Sequence, residues 1–187
     1  MTQQARAPMP KWRVILNMML SPGNVLKSTV SKVSWKFSVI VSAVAFMFFF
    51  LQTGLDLYKT MQKDMLFVIL SALKGAIYGG VAIPLLAGLV WLIARLFKSD
   101  KDLKWVISSF CLSYSGALIY GICGICFSLI LGWRTSVAFG ITGVLWATGP
   151  LMAVIREMTG AKAFVSIVIS TIVGVIVLFS WYILGGA

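Results

Sequence analysis

Residues Phe37 to Leu55 read FSVIVSAVAFMFFFLQTGL, nineteen positions without a charged side chain. A helix rises about 1.5 Å per residue, so this stretch covers about 28 Å, close to the ~30 Å hydrocarbon core of a bilayer. Trp35 and Lys36 precede it, an aromatic and a cation of the kind that anchor a span at the interface. The stretch is therefore read as a transmembrane helix, and the rest of the chain is organised outward from it.

Four further apolar runs follow. Met65 to Phe97 exceeds one upright span, and Lys74 divides it. Met65 to Leu73 is expected to lie in the interface. Span 2 is then expected over about 75–97, with Lys74 snorkelling to the outer surface. Spans 3, 4 and 5 are expected over about 105–131, 136–155 and 163–184. The expected fold class is all-α: a polytopic integral membrane helix bundle of about five transmembrane helices with an N-terminal amphipathic interfacial helix. Residues 1–36 form a cytoplasmic, amphipathic and basic lead, and 37–187 the five-span transmembrane domain.

Composition agrees. Hydrophobic residues make up 60% of the 187-residue chain and charged residues only 11%, against roughly 25% charged in soluble domains. Five spans leave no length for a separate soluble domain. The net charge of +11 would suit nucleic acid on a soluble surface, but here the cations gather near predicted membrane boundaries. They are read as topology determinants and lipid-headgroup contacts, with no nucleic acid partner.

The lead has two parts. Lys11 to Leu20 sets Lys11 and Arg13 among Trp12, Val14, Ile15, Leu16, Met18 and Met19. It is too short to span and is expected to lie among headgroups. Ser21-Pro22 then marks a helix start, and the next helix carries Lys27 and Lys32 opposite Val25, Leu26, Val30 and Val33. Lys11, Arg13, Lys27 and Lys32 are the candidate contacts to anionic headgroups. Val14 to Leu20 is too short and interrupted for a secretory signal, so the first span is expected to act as an uncleaved signal anchor.

Counting cations fixes the expected orientation. With the N-terminus in the cytoplasm, twelve fall on the inner side: Arg6, Lys11, Arg13, Lys27, Lys32, Lys36, Arg95, Lys98, Lys101, Lys104, Arg156 and Lys162. Four fall outside: Lys59, Lys63, Lys74 and Arg134. This three-to-one bias predicts a multi-pass protein of a cell (inner) membrane, N-terminus cytoplasmic and C-terminus extracytoplasmic.

Small residues recur at helical spacing. Ser109, Ser113, Ala117 and Gly121 repeat every fourth residue in span 3, and Ser166, Ser170 and Gly174 do so in span 5. Gly75-x-x-x-Gly79 and Gly143-x-x-x-Ala147 offer similar faces. Such faces let helix backbones approach closely. They can serve packing within the bundle, or one of them, the span 5 stripe foremost, can face a partner subunit. Pro84 removes an N–H and is expected to kink span 2 near Gly79-Gly80; Gly149-Pro150 is a second break, and either could border a cavity.

Chemistry-bearing motifs are few. Cys123-x-x-Cys126 has redox spacing, but only Cys111 remains to relay electrons, and apolar surroundings disfavour thiolate. The chain has no histidine, which removes histidine catalysis and most zinc sites. None of the five acidic residues is expected inside a span core, and Asp100 and Asp102 are read as solvated in a lysine-rich loop. No phosphate-binding Gly-Lys-Ser/Thr appears. No catalytic, cofactor or metal site is expected.

The lead with Leu20-Ser-Pro-Gly23, the span 2 entry Gly75-Ala-Ile-Tyr78-Gly79-Gly80, the basic loop Lys98 to Lys104 and Leu112-Ser-Tyr114 together resemble the Yip (Ypt-interacting protein) family of five-span membrane proteins, in its bacterial or archaeal form. The resemblance covers about residues 10–185. Asp56-Leu57-Tyr58 is similar to a motif of eukaryotic members but sits after span 1 instead of before it. The resemblance implies a non-enzymatic accessory or scaffold protein, associated with another membrane protein such as an exporter or with copies of itself. A small permease or lipid-handling protein, with a cavity near the proline-broken helices, is the alternative.

Overall fold

The computed structural model describes residues 10–160 and 162–186; Arg6 and the rest of 1–9 lie outside them. Five helices are long and apolar enough to cross a membrane: Trp35–Lys59 (span 1), Met65–Leu96 (span 2), Leu103–Leu131 (span 3), Ser136–Met158 (span 4) and Ala163–Gly186 (span 5). No strand occurs among the described residues, and the all-α multi-pass architecture stands. One end of the bundle gathers the 98–104 loop, residues 156–160 and Lys162, which lies 5.0 Å from the Phe97 ring centroid. This is the lysine-rich end; the other is called the far end.

Span 1 is the central strut. It packs along span 2 and span 3 for most of its length and touches spans 4 and 5 toward the far end. Gly75 and Gly79 of span 2 lie so close to the Phe46 and Ser42 carbonyls of span 1 that a Cβ at either position would collide with them. The core around this contact is aromatic. Phe46, Phe49, Phe50, Phe110 and Tyr114 are all buried, and the Phe46 ring sits 4.9 Å from Tyr114 and 5.1 Å from Tyr78.

Three spans depart from regular geometry: span 4 opens on a π-helical turn over Ser136–Ile141, and spans 2 and 3 are irregular within their length. Tyr78–Ala82 is a π-helical turn inside span 2, with the Ile83 N–H donating to the Tyr78 carbonyl. Pro84 has no N–H for the Gly80 carbonyl, and the wider turn takes up the irregularity where the kink was expected. Span 3 breaks at Tyr114, between Leu103–Ser113 and Ser115–Leu131. There Ser113 Oγ donates to the Ser109 carbonyl and Ser115 Oγ to that of Leu112, back-bonding of the kind that bends helices.

Two helices run past the spans expected for them. Lys74 does not interrupt span 2, which is helical from Met65. Its ammonium instead reaches the Phe67 ring, 5.5 Å from the centroid and two turns nearer the helix start, so a charge can sit within a continuous helix. Span 1 also runs on to Lys59, which places Asp56 inside a long helix, and buried.

The lead is docked as well as amphipathic. Helices α1 (Lys11–Leu20) and α2 (Pro22–Ser28) bury Val14, Met18, Val25 and Leu26, and α1 packs against spans 3 and 4. Lys11 stays near the span 1 start, over the Phe37 ring at 5.5 Å. The other end of α1 is deeper: the Trp146 indole N–H donates to the Met19 carbonyl at 3.2 Å. Trp146 lies twelve residues, about 18 Å, inside the Met158 end of span 4. The α1–α2 hairpin thus dips toward mid-height of the bundle instead of lying wholly along its end, because its apolar face has a protein groove to fill.

Candidate functional site

Span 1 carries Gln52, Thr53, Asp56 and Lys59, polar residues that share one side of the helix near the far end. All are hydrogen-bonded to other spans. Gln52 Nε2 donates to the Gly121 carbonyl of span 3 at 3.0 Å. Thr53 Oγ1 accepts from the Trp181 indole of span 5 at 2.8 Å. Asp56 accepts from the Thr135 N–H at 3.0 Å and from the Ser136 N–H and hydroxyl at 2.8 and 2.7 Å. Lys59 Nζ donates to Ser128 Oγ and its carbonyl, both at 2.6 Å, and to the Trp133 carbonyl at 3.0 Å.

This seam solves helix-end problems. The first N–H groups of a helix lack partners and carry partial positive charge, and the last carbonyls are the reverse. Asp56 answers the start of span 4, and Lys59 answers the end of span 3, where Gly132 turns the chain with φ +70°. Asp64 and Asp102 do the same for their own helices, accepting from the Phe67 and Trp105 N–H groups. Asp100 and Asp102 are exposed in the lysine-rich loop, as expected, and Asp102 in addition caps the helix that follows. Asp56 lies in the last turn of the span 1 helix, outside the span core, but it is buried: three donors stabilise a carboxylate that hydropathy alone would leave to solvent.

The small-residue stripes are spent inside the chain. Ser109, Ser113, Ala117 and Gly121 are buried. Side chains of span 1 fill the notches of span 3, with Phe48 against Gly121 and Gln52 against Gly124. Ser166, Ser170 and Gly174 of span 5 are buried too, and Thr148 of span 4 lies against Gly174. Gly143 meets Ala117 and Tyr120. The span 5 stripe therefore turns to span 4, and the side of span 5 left open to a partner is the opposite one.

The remaining sequence candidates scatter. Lys11, Arg13, Lys27 and Lys32 are all exposed, with Lys27 beside Arg156 and Glu157 in a hollow between α2 and span 4. Gly79 is buried against span 1, Gly80 and Pro84 are half-buried, Gly149 is exposed and Pro150 is buried. Cys123 and Cys126 are free and exposed on the outer wall of span 3, while Cys111 is buried twelve residues away from Cys123, about 18 Å along the helix. Among the described residues no three His, Cys, Asp or Glu side chains gather as metal ligands would.

Two hollows lie on span 2. One, at the far end, is bordered by Tyr58, Lys59, Lys63, Asp64, Phe67 and Leu70. The other is an apolar groove of about 360 Å³ between spans 2 and 5, lined by Lys74, Ile77, Tyr78, Val81, Ala82, Leu85 and Leu184. It passes beside Pro84 through Ala82 and Leu85.

Comparison with protein-family models, with curated proteins and with solved structures finds no match for this chain.

Proposed function

We propose that the chain is a membrane-embedded accessory or scaffold protein, non-enzymatic, that associates through the outer walls of its bundle with another membrane protein. The observation that supports this most is where its polar groups are used. The seam on span 1 and the stripes on spans 3 and 5 join the chain to itself, while Ile172, Val175, Phe179 and Ile183 of span 5 and Leu89 and Leu92 of span 2 stay exposed. Such walls suit lipid or a neighbouring span. The cation bias places the lysine-rich end in the cytoplasm under this reading, with anionic lipid at Lys11, Arg13, Lys27 and Lys32. The likeness to the Yip family points the same way, as a resemblance of pattern.

Affinity purification from native membranes in a mild detergent tests the reading. A stoichiometric membrane partner, cross-linking to a photoreactive residue at Val175 or Phe179, is the expected result; a lone monomer with no cross-linked partner in cells contradicts it. The groove on span 2 favours a second reading, a small permease or lipid-handling protein. Flux or lipid transfer by the purified chain alone in proteoliposomes is its test.

A further inference from the structure

Phe67, Leu70, Lys74, Ile77, Val81 and Leu85 succeed one another at three- and four-residue steps, so they follow one side of span 2. Two cations converge at the top of this strip. Lys63 lies 4.8 Å and Lys74 5.5 Å from the centroid of the same Phe67 ring. No carboxylate among the described residues pairs with either; Asp64, which borders the same far-end hollow as Lys63, accepts from the Phe67 N–H at 2.9 Å, and its one negative charge leaves the two lysines in excess. Two like charges held near one ring repel each other, and an anion between them relieves the repulsion.

Depth identifies the kind of anion. From Lys74 to Leu96 is twenty-two steps, about 33 Å, against a hydrocarbon core of ~30 Å. With Leu96 at one boundary, Lys74 sits at the other, and the apolar groove descends from it into the acyl region. A ligand with an anionic head at Lys63 and Lys74 and a hydrocarbon tail below fits both halves. A zwitterionic head fits the upper half less well, because it carries its own cation toward the lysines.

We propose that this strip binds one anionic phospholipid, its phosphate between Lys63 and Lys74 and one acyl chain in the groove over Ile77, Val81 and Leu85 against Leu184 of span 5. The site goes beyond the accessory reading and does not depend on it.

The test uses the purified full chain, with phosphatidylglycerol and phosphatidylcholine of identical chains added in detergent and bound lipid counted by native mass spectrometry. One lysine near a membrane surface favours an anionic lipid by about fivefold. The wild type is expected to prefer phosphatidylglycerol, and K63Q/K74Q to lose about 25-fold in that preference. K63Q/K74Q removes charge from lipid depth and leaves the span 1 seam untouched. Val81→Trp, which projects into the groove, is expected to weaken both lipids. Retention of the preference by K63Q/K74Q, or its loss on K101Q/K104Q at the lysine-rich end instead, overturns the proposal. So does unchanged binding of both lipids to Val81→Trp.

Discussion

Spans 1 and 5 are 25 and 24 residues long, and span 5 is the more apolar of the two. Yet 56% of the span 1 membrane window is buried, against 28% for span 5. In water the more apolar helix would be expected inside. Lipid solvates apolar side chains as well as protein does, so burial here follows the groups that lipid serves badly: small faces, hydroxyls, an amide, a carboxylate. Span 1 carries Ser38, Ser42, Gln52, Thr53 and Asp56 at buried positions. Span 5 buries only its Ser166–Ser170–Gly174 face and leaves Phe164, Ile172, Val175 and Phe179 to the outside.

The comparison is broken most severely at Asp56. Asp56→Ala leaves two backbone N–H groups and a hydroxyl at the start of span 4 without an acceptor. Each orphaned donor is worth roughly 1–3 kcal/mol, so a loss of about 3 kcal/mol or more is expected in reversible unfolding from mixed micelles. Phe179→Ala on the span 5 wall, which is 62% exposed, should cost far less in the same assay, about 0.5 kcal/mol or below.

Close approach ranks next. Gly79→Leu must push span 2 away from the Ser42 carbonyl, with an expected penalty of about 1–3 kcal/mol. Gly88→Leu, nine residues on in the same helix, meets nothing within 4 Å and should be neutral or slightly stabilising. Equal effects at the two sites would mean that contact of Gly79 with span 1 does not set the cost.

A smaller effect separates the two uses of the span 5 stripe. Ser170→Leu should loosen span 5 from span 4 in the isolated chain by about 1–2 kcal/mol, read as a lower unfolding midpoint. An unchanged midpoint together with a lost partner would return that stripe to the intermolecular role.

These contrasts also show what the amino-acid order discloses. The five long helices are legible because charge-free runs of span length are hard to place anywhere but in lipid. Helix ends are less so: Lys74 looks like a boundary, but a flexible four-carbon stem lets the charge leave while the backbone continues. The docking of the lead is hidden because Val14 and Met18 of α1, and Val25 and Leu26 of α2, form apolar faces that suit headgroups or protein equally. The seam did leave a trace. Gln52, Asp56 and Lys59 stand four and three residues apart directly after the phenylalanine run, which puts three polar groups on one side of a helix entering lipid. What the order alone does not give is their partners, since Gly121, Thr135, Ser136 and Ser128 lie 69 to 80 residues away.

The enclosure of span 1 is the central claim, and oxygen accessibility of single spin labels in bilayers tests it most directly. Labels would be walked along residues 42–56 and 166–183 in a cysteine-free background. The predicted result is a 3.6-residue oscillation on span 5 with peaks at 172, 175 and 179. No position of 42–56 reaches those peaks, including 43, 44, 47 and 48 on the side away from 42, 46, 49 and 53. Equal oscillation on both helices would contradict it, by showing that span 1 presents a face to lipid just as span 5 does.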